Sequence, residues 1–351
     1  MRGLRTLPFR VAPAEEEVLD SWLEVLAARL GVRWDELLTG VGVLSRPGYG
    51  ASQQLARATV APTKWQIQVI SLATGVESGR VEAMTLAPWI SAQVSRQRSA
   101  SMRVPGSRFC PLCLDQSGGR WRVWWRLRWA VACPTHCCLL ADRCSCCGGR
   151  QRLAARPAGD RPQVGRCTSY LHRELSGGRC RTILSDNSLI VLGSDDPLIA
   201  AQREILSVLR MGWSYGGIYA DEPVRAEVFV QDLKVLGAWI LGRAQRDELC
   251  IRASDALARA YAAESDAREL HTWAPAGQRV SSARVSRDAV TVAVAVPVLT
   301  AADTMAAGER LRWLTTSIRR RGLSVRTPRR WPIYTSPALN AIARHIGVLH
   351  Q

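Results

Sequence analysis

Apolar residues at Val18, Leu19, Trp22, Leu23, Leu26 and Leu30 recur at helical intervals and stop at Gly31, which predicts an amphipathic helix. Glu15, Glu16 and Glu17 precede it and are expected to form its acidic first turn. A short helix from Trp34 to Leu38 follows, and Pro47 to Ser52 reads as a glycine and proline loop. The pattern then predicts helices at Trp65 to Ala73 and Ser78 to Leu86, joined by the turn Thr74-Gly75-Val76. That order has the form of a helix-turn-helix, with Arg80 and Glu82 facing outward, although plain helical packing gives the same pattern.

In the second half, Leu198, Ile199, Ile205, Leu206 and Leu209 define a helix from Asp196 to Arg210, with Pro197 in its first turn. Met211 to Tyr219 is a turn rich in glycine and aromatics, and helices are expected at Val224 to Leu241 and Asp247 to Ala263. Thr291 to Leu299 alternates apolar residues like a strand, but Pro297 and the alanine-rich continuation to Leu314 favour a helix. A last helix is expected from Pro337 to Ile346. The pattern gives a mainly α protein.

Ten of the eleven cysteines lie between Cys110 and Cys180. Cys110-Pro-Leu-Cys113 and Cys133-Pro-Thr-His136 offer three thiolates and one imidazole in two knuckles, the donor set of a tetrahedral zinc site. Cys144 and Cys147 begin a second set, for which Cys167 and Cys180 are the expected remaining ligands and His172 the rival. Cys137, Cys138 and Cys146 are spare, and Cys250 reads as a small buried hydrophobe. Each set has four protein ligands and no open position, so two structural zinc ions are expected rather than a catalytic one. The opening Met1-Arg-Gly-Leu-Arg does not read as a secretory signal, which argues against disulfides.

Between the knuckles, Trp121, Trp125 and Trp129 recur every fourth residue with Trp124 beside them, while Arg122 and Arg126 fall on another stripe. A helix is expected there, its aromatic face supporting the metal site. The interleaved arginines also leave base stacking open.

Charge sharpens this picture. The 351 residues carry a net charge of +17, and only Lys64 and Lys234 among the basic residues are lysines. Neither lysine stands in a phosphate-loop motif, so a P-loop ATPase is excluded. A GC-rich genome would produce the same arginine bias, so the bias by itself decides nothing. The charge is uneven: residues 110 to 185 carry 13 basic and 4 acidic side chains and residues 276 to 351 carry 12 and 3, whereas 186 to 275 carry 9 and 14. The basic blocks point to a polyanion such as DNA. Candidate phosphate contacts are Arg80, Arg122, Arg126, Arg319, Arg320, Arg321, Arg326, Arg329 and Arg330. Residues 91 to 108, with Arg96, Arg98, Arg103 and Arg108, read as an exposed linker. No apolar run reaches the roughly 18 residues of a membrane span.

The run Phe109-Cys-Pro-Leu-Cys-Leu, the Trp-Arg-x-x-Trp segment, Ala132-Cys-Pro-Thr-His, Leu139-Leu140 and Cys144-x-x-Cys-Gly, together with Glu16 through Leu23, Thr74-Gly75-Val76 and Met84-Thr85-Leu86, resemble the TniQ family of transposon target-selection proteins. The likeness spans about residues 7 to 185. With the helical pattern beyond it, the chain is expected to divide into an N-terminal helical domain with a helix-turn-helix-like hairpin (1–105), a zinc-binding segment (106–185) and a C-terminal helical domain with a basic tail (186–351). The resemblance implies a cytoplasmic, nucleoid-associated adaptor without catalytic activity, which selects an insertion site and recruits an AAA+ regulator ATPase. An RNA-guided complex as partner and a homodimer stay open. Two other readings are carried: a zinc-containing helix-turn-helix transcription regulator, and a zinc-dependent nucleic-acid enzyme. The enzyme is disfavoured because His136 is followed by Cys-Cys rather than by x-Glu, and carboxylates are scarce in the cysteine segment.

Overall fold

The computed structural model describes residues 6–44, 55, 58–90, 102–153, 159–170, 178–271, 285–325 and 335–348. The fold is mainly α; the two-residue strands among the described residues form one pair in the cysteine segment and another between Trp213–Ser214 and Val224–Arg225. The chain divides into two compact units, one of residues 1–130 with 140–189 and the other of residues 131–139 with 190–351.

In the first unit, helix α1 (Leu19–Leu30) buries Leu19, Trp22, Leu23 and Leu26, and Gly31 ends it in the left-handed conformation at φ 66°. Those side chains share one core with Trp34, Leu37 and Leu38 of α2 (Trp34–Gly40), Ile70 and Ala73 of α3 (Lys64–Thr74), and Val81 of α4 (Ser78–Ala83). Thr63 and Gln66 form a reciprocal capping box at the start of α3, and Gly75 closes it at φ 71°. Helix α4 is shorter than the pattern predicts, because Met84, Thr85 and Leu86 leave the helix and bury their side chains. Arg80 and Glu82 are exposed, as expected.

The glutamates ahead of α1 are not its first turn. Glu16 has φ 53°, and Glu17 is buried, accepting hydrogen bonds from the Ser21 hydroxyl (2.9 Å) and from Arg120 (2.8 Å). Residues 16–18 instead pair with 121–123: Val18 N–H donates to the Trp121 carbonyl at 2.8 Å, and Val123 N–H to that of Glu16 at 2.7 Å.

This pairing corrects the tryptophan segment. Only Val123–Arg126 winds, as one 3₁₀ turn. Trp121 and Arg122 are held extended by pairing with 16–18, so the fourfold spacing of tryptophans cannot form a helical face. The tryptophans are nevertheless core, each at most 5% exposed. Phe109 lies 5.3 Å from Trp121, and Trp125 meets Trp121 and Trp124 edge-on at 5.8 and 6.0 Å. The expected linker needs a correction as well. Its residues 91–101 lie outside the described ones, but Arg108 is buried and donates to the carbonyls of Arg128 and Ala130, both at 2.7 Å.

The second unit gathers around α10 (Val285–Leu299), which packs against α6 (Pro197–Met211), α7 (Ala226–Arg243), α9 (Asp255–His271) and α11 (Thr304–Arg310). Val290, Val292, Val294 and Val296 are all buried, and so are the alanines between them. An element buried on every side has no polar face to betray its period, which is why the alternation mimics a strand. Helix α10 ends at Leu299 rather than running on to Leu314, because Asp303 caps α11 by accepting the Ala306 N–H at 2.8 Å. The expected single helix from Asp247 is likewise two, α8 (Arg246–Cys250) and α9, broken by a turn whose Ile251 is 80% exposed. Cys250 is half-buried, and burial pushes its thiol up. A Cβ on Gly237 of α7 would come 2.3 Å from the Thr291 methyl carbon on α10, so glycine sets how closely these two helices approach.

Helix α12 (Arg312–Arg320) follows, and α13 (Pro337–His345) closes the unit. Its cap, Ser336, also satisfies a buried carboxylate. Asp232 accepts from the Ser336 N–H (3.0 Å), the Ser336 hydroxyl and the Tyr219 hydroxyl (3.0 Å). Burial raises Asp232 to about 6 even against these donors. Among the described residues no helix is long and apolar enough to cross a membrane.

Candidate metal centres

Two groups of side chains can hold a metal ion, Cys110 with Cys113, Cys133 and His136, and Cys144 with Cys147, Cys167 and Cys180; within each group the ligand atoms lie within 4.8 Å of one another. In the first, Cys110 stands at the N-cap of α5 (Pro111–Gln116), where its sulfur accepts the Cys113 N–H at 3.5 Å. Phe109 and Ala141 exchange both backbone hydrogen bonds at 2.8 Å, which fixes the approach to Cys110. Cys133 ends strand β1 (Ala132–Cys133) and His136 lies in the turn to β2 (Cys138–Leu139), with Cys133 paired to Cys138. The Cys133 sulfur is 3.6 Å from His136 Nδ1.

The second group lies wholly within the first unit. Cys144 and Cys147 sit on a tight turn in which Gly148 N–H donates to the Cys144 carbonyl and Cys144 N–H to that of Gly149. Cys167 and Cys180 come from two extended segments held together by bonds from Cys167 N–H to Thr182, Cys180 N–H to Ser169 and Arg181 N–H to Cys167. That pairing brings together two thiols that sequence spacing leaves apart. Cys144 and Cys180 sulfurs are 3.8 Å apart, and those of Cys147 and Cys167 are 3.6 Å apart.

These separations test the fit to an ion. Zinc–sulfur bonds of about 2.3 Å at tetrahedral angles put sulfurs about 3.8 Å apart, and a zinc–nitrogen bond of about 2.05 Å puts sulfur and nitrogen about 3.6 Å apart. Both groups match. Disulfides, at about 2.05 Å, are far shorter, and none of the eleven cysteines forms one.

Hydrogen-bonding groups surround the sulfurs of the second group. Gly149 N–H donates to the Cys147 sulfur at 3.4 Å and the Gln151 amide to that of Cys167 at 3.2 Å, while the Thr182 hydroxyl lies 3.0 Å from the Cys180 sulfur. Asn187 braces the turn, accepting the Ser145 N–H at 2.8 Å and donating to the Arg143 carbonyl at 3.0 Å. Burial pushes the Cys144 and Cys147 thiols up, and their thiol neighbours add to the rise. At Cys180 burial acts the same way but is outweighed by the Thr182 hydroxyl and backbone, which bring it to about 6. Four crowded thiols cannot all ionise without a cation, and a dication relieves that repulsion. Gln151, Thr182 and Asn187 escaped the sequence reading, since no spacing rule marks a group that bonds to a ligand rather than to the metal.

The predicted phosphate contacts are dispersed. Arg122 pairs with Glu16 at 3.3 Å, and Arg126 is largely buried against Asp20. Arg152 joins the same network at 2.7 Å from both Asp20 and Glu24, and its guanidinium lies 4.5 Å from the Trp121 ring centre. Arg80 is exposed and donates to the Ala14 carbonyl at 2.9 Å. Arg319 and Arg320 are exposed on α12, while Arg321 donates to the carbonyls of Ser317 and Arg243. Arg326, Arg329 and Arg330, like His172, lie outside the described residues.

A mainly α protein whose cysteine segment brings together two four-donor clusters able to hold metal ions is what the described residues define. Residues 8–140 match the TniQ family model, and this part of the chain is similar to that family of transposition-associated targeting proteins. The match takes in Cys110, Cys113, Cys133 and His136 and stops short of Cys144. No curated protein matches the chain.

Proposed function

We propose that the chain is a zinc-held, DNA-associated targeting adaptor of a transposition system, which selects the insertion site and recruits an AAA+ regulator ATPase. The observation that carries this reading is the TniQ match, which encloses one complete ligand set. Zinc is the ion suited both to three thiolates with an imidazole and to four thiolates, and a full set of protein ligands leaves no position for a reacting water, so its role is to hold the fold. The buried tryptophans back the sites as a hydrophobic floor. Exposed Arg80, Arg319 and Arg320 supply phosphate contacts, whereas Arg122 and Arg126 serve mainly to pair with Glu16 and Asp20. The protein works in the cytoplasm on the nucleoid.

The test is a transposition assay in cells carrying the transposase, the ATPase and a donor element. Deleting the gene for this chain is expected to abolish insertion at the preferred site. Insertion at an unchanged site and frequency without it would overturn the proposal.

A further inference from the structure

The second unit contains a cleft of about 620 Å³ between α8 and α12 that the metal centres do not use. Four arginines line it, Arg252, Arg312, Arg320 and Arg321, against the single carboxylate of Glu248. Glu248 is already engaged: it accepts the Gln245 N–H at 2.7 Å, and although burial pushes its carboxyl up, the Ser317 hydroxyl, the Gln245 N–H, Arg321 and Arg252 hold it below the usual range. Arg321 is turned to the carbonyls of Ser317 and Arg243. Arg312 meets Glu309 at 2.5 Å, an exposed pair that a stronger anion can displace. Arg320 is exposed, and no hydrogen bond or ion pair occupies it among the described residues.

The aromatic floor narrows the ligand. The Arg252 guanidinium lies 3.7 Å from the centre of the Trp313 ring, a stacked cation–π pair. A guanidinium stacked on an indole offers its outer face to another flat π system, as nucleobases use it. An acidic peptide would use the positive charge but not this stack. The volume also lies within the range of about 300–1,000 Å³ that encloses one ligand of modest size, too small for a duplex.

We propose that this cleft takes an unpaired nucleotide of a nucleic-acid strand, its phosphate against Arg312 and Arg320 and its base on the Arg252–Trp313 stack. The assignment rests on the DNA-associated reading above and gives it a second contact surface, for single strands.

The experiment measures fluorescence anisotropy of the zinc-loaded full chain with a labelled 20-nucleotide single strand, and with its duplex, across a salt series. Unlabelled adenosine monophosphate and poly-glutamate serve as competitors. Arg320→Ala is expected to weaken strand binding about 5-fold at 0.1 M salt, and Arg312→Ala with Arg320→Ala about 25-fold, with the log–log salt slope shallower by about 0.7 per arginine. Trp313→Ala is expected to weaken it at least about 5-fold with the slope unchanged, because stacking is not ionic. The exposed arginines keep the test valid if Trp313→Ala fails to fold. Duplex binding without strand binding, or strand binding unmoved by the arginine substitutions, would overturn the cleft while leaving DNA association standing. Binding to neither would overturn both. Displacement by poly-glutamate as readily as by unlabelled strand would make this an acidic-peptide site, and binding of the free nucleotide alone would remove the strand from the assignment.

Discussion

Asp20→Asn tests the charged network that ties α1 to the tryptophan segment. Asp20 is largely buried, its side chain 14% exposed, and burial alone would push its carboxyl up; Arg126 and Arg152 outweigh burial and bring it down from 3.8 to about 2. A carboxyl held low in the folded chain stabilises it at every pH above the unfolded value, and the gain disappears as pH falls through the folded one. The fall corresponds to about 2.4 kcal/mol at neutral pH. Asparagine also strips the Asp20 carboxylate from Arg126 and Arg152, although Arg152 keeps Glu24. Removing one member of a buried pair costs about 3–5 kcal/mol, so a loss of about 2.5–4 kcal/mol is expected in urea unfolding at pH 7.5 with zinc present. In a double-mutant cycle with Arg152→Met, a coupling of about 2 kcal/mol should appear, within the range for contacting groups. A loss below about 0.5 kcal/mol, or no coupling, would refute the view that this network holds α1 in place.

The other internal interactions make predictions of their own. Asp232 sits at about 6 in the folded chain, above the ordinary 3.8, so its contribution is full below pH 4 and is lost as pH rises through 6. Stability should therefore increase by about 1.3 kcal/mol between pH 7 and pH 5, and Asp232→Asn should remove that increment; a variant with an unchanged pH profile would contradict the assignment. Gly237→Ala should destabilise despite alanine's helical advantage of about 1 kcal/mol, since overpacking costs about 1–3 kcal/mol. Adding Thr291→Ser, which deletes the obstructing methyl, should recover much of the loss, and a stabilised Gly237→Ala would show that α7 and α10 are not closely apposed.

What the sequence announces depends on whether a local rule decides the structure. Helix α6 is legible end to end because Asp196 caps it, Pro197 starts it and its apolar residues keep one face. The Trp121 to Trp129 spacing misleads, since its conformation is decided by pairing with residues 16–18, about a hundred positions away. Helix α10 shows another limit: full burial erases the periodic signal, and only Pro297 and the alanines hinted at the outcome. For the metal groups, the C-x-x-C and C-x-x-H knuckles carry their own geometry. The meeting of Cys167 and Cys180 depends on pairing between two loop segments, and the donors from Gln151 and Thr182 have no sequence signature.

Zinc in both clusters, as proposed, would hold the cysteine segment with an apparent worth of about 10–16 kcal/mol each by comparison with zinc-finger peptides. The most direct test is elemental analysis of the purified full chain expressed with zinc, beside Cys147→Ser. Two zinc ions per chain are expected in the wild type and one in the variant. One ion or none in the wild type, or two in the variant, would contradict the proposal.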